Sequence, residues 1–144
     1  SDNRYVAVAI IAALIVFFAP YRQPGWRRRL LVWADALGLA LFAALGTEIC
    51  LQHDTGPLVA VMLGVTTAVT GGMIRDIICN EIPLILEREI YATAAFAASL
   101  AYVLIDGLGA EPGVSLAVGV VTGLVVRGLA IRYNWSLPSF GTRP

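Results

Sequence analysis

The chain has 144 residues, 58% of them hydrophobic and 14% charged, with 10 basic and 10 acidic residues, zero formal net charge and a mean hydropathy of +0.79. An ordinary soluble domain carries roughly 25% charged residues, and a small one leaves much of its surface in water. So few charges cannot cover that surface, which excludes a soluble enzyme, a nucleic-acid-binding domain and a disordered segment, and leaves a single-domain, all-α integral membrane protein over residues 1–144.

A membrane-crossing helix needs roughly 20 mostly apolar residues. Five segments meet or approach that length: about Tyr5–Pro20, Leu30–Cys50, Pro57–Ile78, Glu89–Ile105 and Val114–Arg132. The breakers fall between them, at Pro20, Pro24-Gly25, Gly56-Pro57, Pro83, Gly107, Gly109 and Pro112-Gly113. No segment alternates strictly in the manner of a barrel strand. The first segment, one Arg followed by an apolar run, competes with a signal-peptide reading, but no small-x-small cleavage site follows it.

All ten basic residues are Arg, and their placement orients the chain. If all five segments cross, nine Arg fall on one face: Arg22, Arg27, Arg28 and Arg29, then Arg75 and Arg88, then Arg127, Arg132 and Arg143. Only Arg4 falls on the other. The positive-inside rule then puts the C-terminus in the cytoplasm and residue 1 outside. The two cysteines, Cys50 and Cys79, fall near opposite faces and are not expected to bond to each other. The first residue is Ser1 rather than Met, so the sequence reads as processed or as a piece of something longer.

Polar residues inside a membrane are costly and mark functional candidates. The 57–78 segment holds the densest set: Thr66, Thr67, Thr70, Gly71, Gly72, Arg75 and Asp76. Paired glycines predict a kink or break there, and a break frees carbonyls and a half-helix N-terminus of the kind that binds ions in transport proteins. Thr66 and Thr70 share a face above the break. The competing reading is tight packing, in which Gly and Thr serve helix contacts and Arg75-Asp76 is an interfacial pair. Asp35, about one turn inside the inner boundary and close to Arg29, reads either as a snorkelling carboxylate paired with an Arg or as part of an aqueous path.

Small residues recur every fourth position, in Ala36-Ala40-Ala44, Gly64-Ala68-Gly72, Ala94-Ala98 and Gly119-Gly123. Such rows let helix backbones approach closely. Arg127 continues the last row, with an expected place near the inner interface, either snorkelling or paired with a carboxylate such as Asp76. Catalytic chemistry has little support. His53, beside Asp54, has no second His and no nearby Cys for a metal site, and no Ser has a base within expected reach. Glu81, Glu87 and Glu89 read as a solvated face. Gly71-Gly72 lacks the Lys-Ser/Thr end of a phosphate loop.

The ordered set Asp35-Ala-Leu-Gly38 through Gly46, Thr66-Thr-x-x-Thr-Gly71-Gly72-x-x-Arg75-Asp76, Pro83 and Glu89-x-Tyr91-Ala92 resembles the bacterial members of the trimeric intracellular cation (TRIC) channel family, a group also labelled glycine transporters. The resemblance covers about Tyr5 to Phe140. It implies a seven-helix fold of two inverted three-helix repeats and a seventh helix, with residues 5–20 as the last helix of the first repeat, 30–105 as the second repeat and 114–132 as the seventh helix. Two helices would then precede residue 1. It also implies a homotrimer in the bacterial inner membrane, with a pore for monovalent cations in each protomer, K⁺ chiefly or Na⁺, and with Gly71-Gly72 at the bend of a pore helix. No cofactor and no nucleic acid are expected. Partners are membrane lipid, with a bound phospholipid left open, and other copies of the chain. Transport of a small amino acid such as glycine, and a purely structural subunit, stand as alternatives.

Overall fold

A computed structural model describes Ile11, residues 26–78, Asn80 and residues 90–133. The chain divides into two compact units, Ser1–Leu30 and Leu31–Pro144. In the first, the described residues are Ile11 and the opening of a helix from Trp26. The expected span at 5–20, Cys79, the 81–89 connector with its acidic cluster, and residues 134–144 lie outside the described residues.

Four helices follow in order: α1 (Trp26–Gln52), α2 (Pro57–Ile78), α3 (Ile90–Gly107) and α4 (Pro112–Tyr133). All four are long and apolar enough to cross a membrane. At about 1.5 Å per residue, a 22-residue helix such as α2 matches a hydrocarbon core of about 30 Å. Large apolar side chains turn outward on each of them, among them Phe42, Met62, Leu104 and Val121. An outward apolar face and an inward face of small residues is the arrangement a lipid-embedded bundle requires.

The sequence expectation for α2 matches the helix end to end. Pro57 opens it and Pro112 opens α4, as suits a residue with no N–H to leave unpaired in a first turn. α1 begins four residues before the expected Leu30, because Arg27, Arg28 and Arg29 are good helix formers and no breaker follows Gly25. α1 and α3 end in built turns. The Cys50 carbonyl accepts from the backbone of His53 at 3.0 Å and the hydroxyl of Thr55 at 2.6 Å, and Asp54 takes a left-handed φ of 57°. After α3, Gly109 N–H donates to the Asp106 carbonyl at 2.8 Å with φ 81°, a conformation that favours glycine. His53, set aside as a metal ligand on sequence grounds, donates from Nδ1 to the Ile49 carbonyl at 2.8 Å and so helps close α1.

The small-residue rows are the contact surfaces. Ala36, Ala40, Ala44, Ala94 and Ala98 are buried, as are Gly64, Ala68, Gly72, Gly119 and Gly123. A Cβ on Gly64 would overlap the Thr47 hydroxyl and stand 2.6 Å from the Ala43 carbonyl oxygen and 2.9 Å from Ser99 Oγ. That carbonyl accepts from both Thr47 (2.8 Å) and Ser99 (3.2 Å), which ties α3 to α1 at the point where α2 presses closest. On α4, a Cβ on Gly123 would stand 2.8 Å from Ala98 Cβ and 2.9 Å from Ala40 Cβ, so α4 packs against both α1 and α3.

Candidate functional site

The short α1–α2 and α3–α4 connectors, and the backbone contacts above, set neighbouring helices in alternating directions. The opening turns of α1 and α3 therefore meet the closing turns of α2 and α4. Asp35, about two and a half turns into α1, comes level with Arg75-Asp76 near the end of α2, Tyr91 at the start of α3 and Arg127 on α4. Sequence positions forty and more residues apart thus form one polar cluster inside an otherwise apolar bundle.

Arg75 is its hub. Nη1 donates to Asp35 Oδ1, and Nε and Nη2 both donate to Asp76 Oδ1, at 2.9 and 2.6 Å. The Arg75 side chain is 26% exposed, whereas those of Asp35 and Asp76 are 5% and 4% exposed. Two buried carboxylates thus share one guanidinium that reaches partly outside the bundle. The Tyr91 hydroxyl donates to the same Asp35 oxygen at 3.1 Å. The Arg127 guanidinium lies over the Tyr91 ring, 4.9 Å from its centroid, and is 1% exposed. A cation over an aromatic face is attracted by the ring quadrupole, by about 2 kcal/mol when both are desolvated.

Several expectations change here. The Arg that pairs with Asp35 is Arg75, forty residues away in sequence. α2 runs as an unbroken helix through Gly71-Gly72, so the break foreseen there is absent. The two glycines differ in kind. Gly72 leaves room for Tyr91, since a Cβ there would overlap the tyrosine hydroxyl, while Gly71 has nothing within 4 Å of where a Cβ would stand. Arg127 is buried within the bundle, 1% exposed. It follows Gly119 and Gly123 on the contact face of α4, and that face carries it into the core.

The threonines stand apart from the cluster. Thr66, Thr67, Thr70 and Gly71 are exposed along α2. Thr66 donates to the Met62 carbonyl and Thr67 to the Leu63 carbonyl, each at 2.8 Å. Donating backward satisfies the hydroxyl hydrogen and leaves oxygen lone pairs turned outward. The residues proposed from sequence therefore separate into a buried ionic group (Asp35, Arg75, Asp76, with Gly72) and an exposed hydroxyl face (Thr66, Thr67, Thr70, Gly71). Tyr91 and Arg127 were not among those candidates. The available signal was position: a tyrosine in the second residue of a helix facing a glycine, and an arginine on a G-x-x-x-G face.

The chain has known relatives in sequence and in fold. Residues 32–107 match the family model described as Glycine transporter. In fold, the chain is similar to the TRIC trimeric intracellular cation channel orthologue from Rhodobacter sphaeroides, with a TM-score of 0.83 and 38% identity over 93% of this chain and 69% of that one. The chain belongs to the TRIC channel family. A second prokaryotic TRIC channel structure is similar at TM-score 0.82 and 29% identity, over 95% of this chain and 68% of that one. Among curated TRIC-family relatives, the UPF0126 inner membrane protein YadS of Escherichia coli (strain K12) is 37% identical over 96% of this chain and 68% of its own length. The UPF0126 membrane protein of Vibrio cholerae is 35% identical over 96% of this chain and 58% of its own length. The chain thus spans between 58% and 69% of the length of these four proteins. Its all-helical class and its place among multi-pass membrane proteins follow from the TRIC fold and the four apolar helices. The solved TRIC structures are channels rather than enzymes.

Proposed function

We propose that the full-length protein is a passive channel for monovalent cations, K⁺ foremost, in the bacterial inner membrane, assembled as a homotrimer with a pore in each protomer. The observation that carries this reading is the likeness, in both fold and sequence and along nearly the whole chain, to solved TRIC cation channels. The hydroxyl face of α2 supplies suitable chemistry. Oxygen atoms with free lone pairs can replace part of an ion's hydration shell, and Thr66 and Thr70 present such oxygens one turn apart. Beside them Gly71 leaves the backbone uncovered. In this reading Thr66, Thr67, Thr70 and Gly71 line the path, and Arg75 and Asp76 shape its inner mouth, with Asp35 behind them. With all five segments crossing, the nine-to-one Arg distribution favours a cytoplasmic C-terminus, and phospholipid is assigned to the outward apolar faces.

The label on the matching family model favours one second reading, secondary transport of a small amino acid such as glycine. The two separate in liposomes holding the full-length protein. A channel gives K⁺ flux that is lowered by Thr66→Val and Thr70→Val together. A glycine transporter gives saturable glycine uptake with K⁺ permeability at background, and that outcome overturns the channel reading.

A further inference from the structure

Tyr91 has no part in the conduction path proposed above, yet it touches each of the other three helices. It is 1% exposed. Its hydroxyl donates to Asp35 Oδ1 on α1, 3.1 Å away. It lies against Gly72 on α2, where a Cβ would overlap the hydroxyl and stand 3.1 Å from Cζ. The Arg127 guanidinium of α4 covers its ring. Filling space does not account for this, because a phenylalanine would fill the same volume without needing a glycine opposite a hydroxyl.

The acceptor is the informative atom. Asp35 Oδ1 takes both Tyr91 and Arg75, while Asp35 Oδ2 is buried and has no hydrogen-bond partner among the described residues. A carboxylate facing a guanidinium ordinarily uses both oxygens. Leaving one buried oxygen unused costs free energy, so something holds the carboxylate in its one-oxygen pose, and Tyr91 is the group in place to do it. We infer that Tyr91 is a positioning residue: it fixes Asp35, and through Asp35 the Arg75 end of α2, while Arg127 steadies its ring from α4. Resting on the channel reading, the consequence is that Tyr91 sets how often the path is open, and does not alter the path itself.

The test uses the full-length protein in planar bilayers and in melting experiments. Tyr91→Phe keeps the ring, the cover by Arg127 and the fit against Gly72, and removes one hydrogen bond. Its expected effect is an open probability changed about tenfold, the factor that accompanies one hydrogen bond to a charged group, with unit conductance and K⁺/Na⁺ selectivity at wild-type values. Arg127→Gln shifts open probability the same way, and Arg127→Lys, which keeps a cation near the ring, restores it. An unchanged open probability in Tyr91→Phe overturns the proposal. A changed unit conductance also overturns it, because it puts Tyr91 in the path. Melting temperatures give a readout independent of transport. Tyr91→Phe and Asp35→Ala remove the same bond, so the double variant is expected to melt no lower than the lower-melting single variant, and fully additive losses overturn the proposal. If the wild-type protein carries no K⁺ current, the channel reading fails while this thermal cycle still decides whether Tyr91 positions Asp35.

Discussion

Replacing Arg75 by Met removes a guanidinium that the buried Asp35 and Asp76 carboxylates share. Three N–H groups are lost at once, one to Asp35 and two to Asp76, and both acceptors sit in side chains no more than 5% exposed. The cluster of Asp35, Asp76, Arg75 and Arg127 passes from balanced charge to a net negative one. Removing one partner of a buried ion pair costs about 3–5 kcal/mol. Because the Arg75 side chain is 26% exposed, the lower end applies, about 3 kcal/mol. For a chain of this size each kcal/mol moves the melting temperature by about 2–4 °C, so Arg75→Met is expected to melt about 6–12 °C below wild type. The decisive comparison is the double variant Arg75→Met/Asp35→Asn, which restores charge balance while removing a further polar partner. It is expected to recover at least about half of the loss, because neutralising both members of a buried pair costs far less than stranding one. The assay is loss of the monodisperse peak of purified full-length protein on heating. A single variant that melts with wild type, or a double variant that melts below the single, refutes this account of the cluster.

Gly64→Ala is expected to destabilise by about 1–3 kcal/mol, since its Cβ meets the Ala43 carbonyl, whereas Gly71→Ala, with open space there, is expected to be neutral or to stabilise by up to about 1 kcal/mol through helix propensity; the melting temperatures of the pair check both. Ser99→Ala removes one of two hydroxyl donors to the Ala43 carbonyl and is expected to cost about 1 kcal/mol, because Thr47 keeps that oxygen satisfied. Thr66→Val with Thr70→Val is expected to lower K⁺ flux severalfold while leaving the melting temperature within about 1 °C, since exposed positions away from packed contacts change stability little; a flux equal to wild type removes these hydroxyls from the path.

Composition and hydropathy made the membrane class and four of the helices legible, because lipid imposes length and apolarity on any helix that crosses it. The small-residue rows were legible for the same kind of reason. Only residues lacking bulk let Gly64 approach Ala43, or Gly123 approach Ala40, and their fourfold spacing shows in the sequence. The candidate site was legible only residue by residue. Asp35 and Arg75 each stood out as charges within apolar segments, but their pairing joins positions forty apart and depends on how α1 and α2 align, which local periodicity does not encode. The sequence left the Arg partner of Asp35 unnamed, and tertiary packing chose Arg75. Gly71-Gly72 misled in a similar way. Glycine weakens a helix wherever it stands, yet α2 continues through the pair, with Gly72 needed for the Tyr91 hydroxyl rather than for a break. Arg127 was expected near the inner interface, snorkelling or paired with a carboxylate, and the face it shares with Gly119 and Gly123 buries it within the bundle.

The most direct test of the central claim is K⁺ efflux from liposomes that contain the full-length protein, measured beside glycine uptake in the same preparation. A channel gives K⁺ efflux well above protein-free liposomes, non-saturating in K⁺ and reduced by Thr66→Val/Thr70→Val, with glycine uptake at background. Background K⁺ efflux together with saturable glycine uptake contradicts the channel reading.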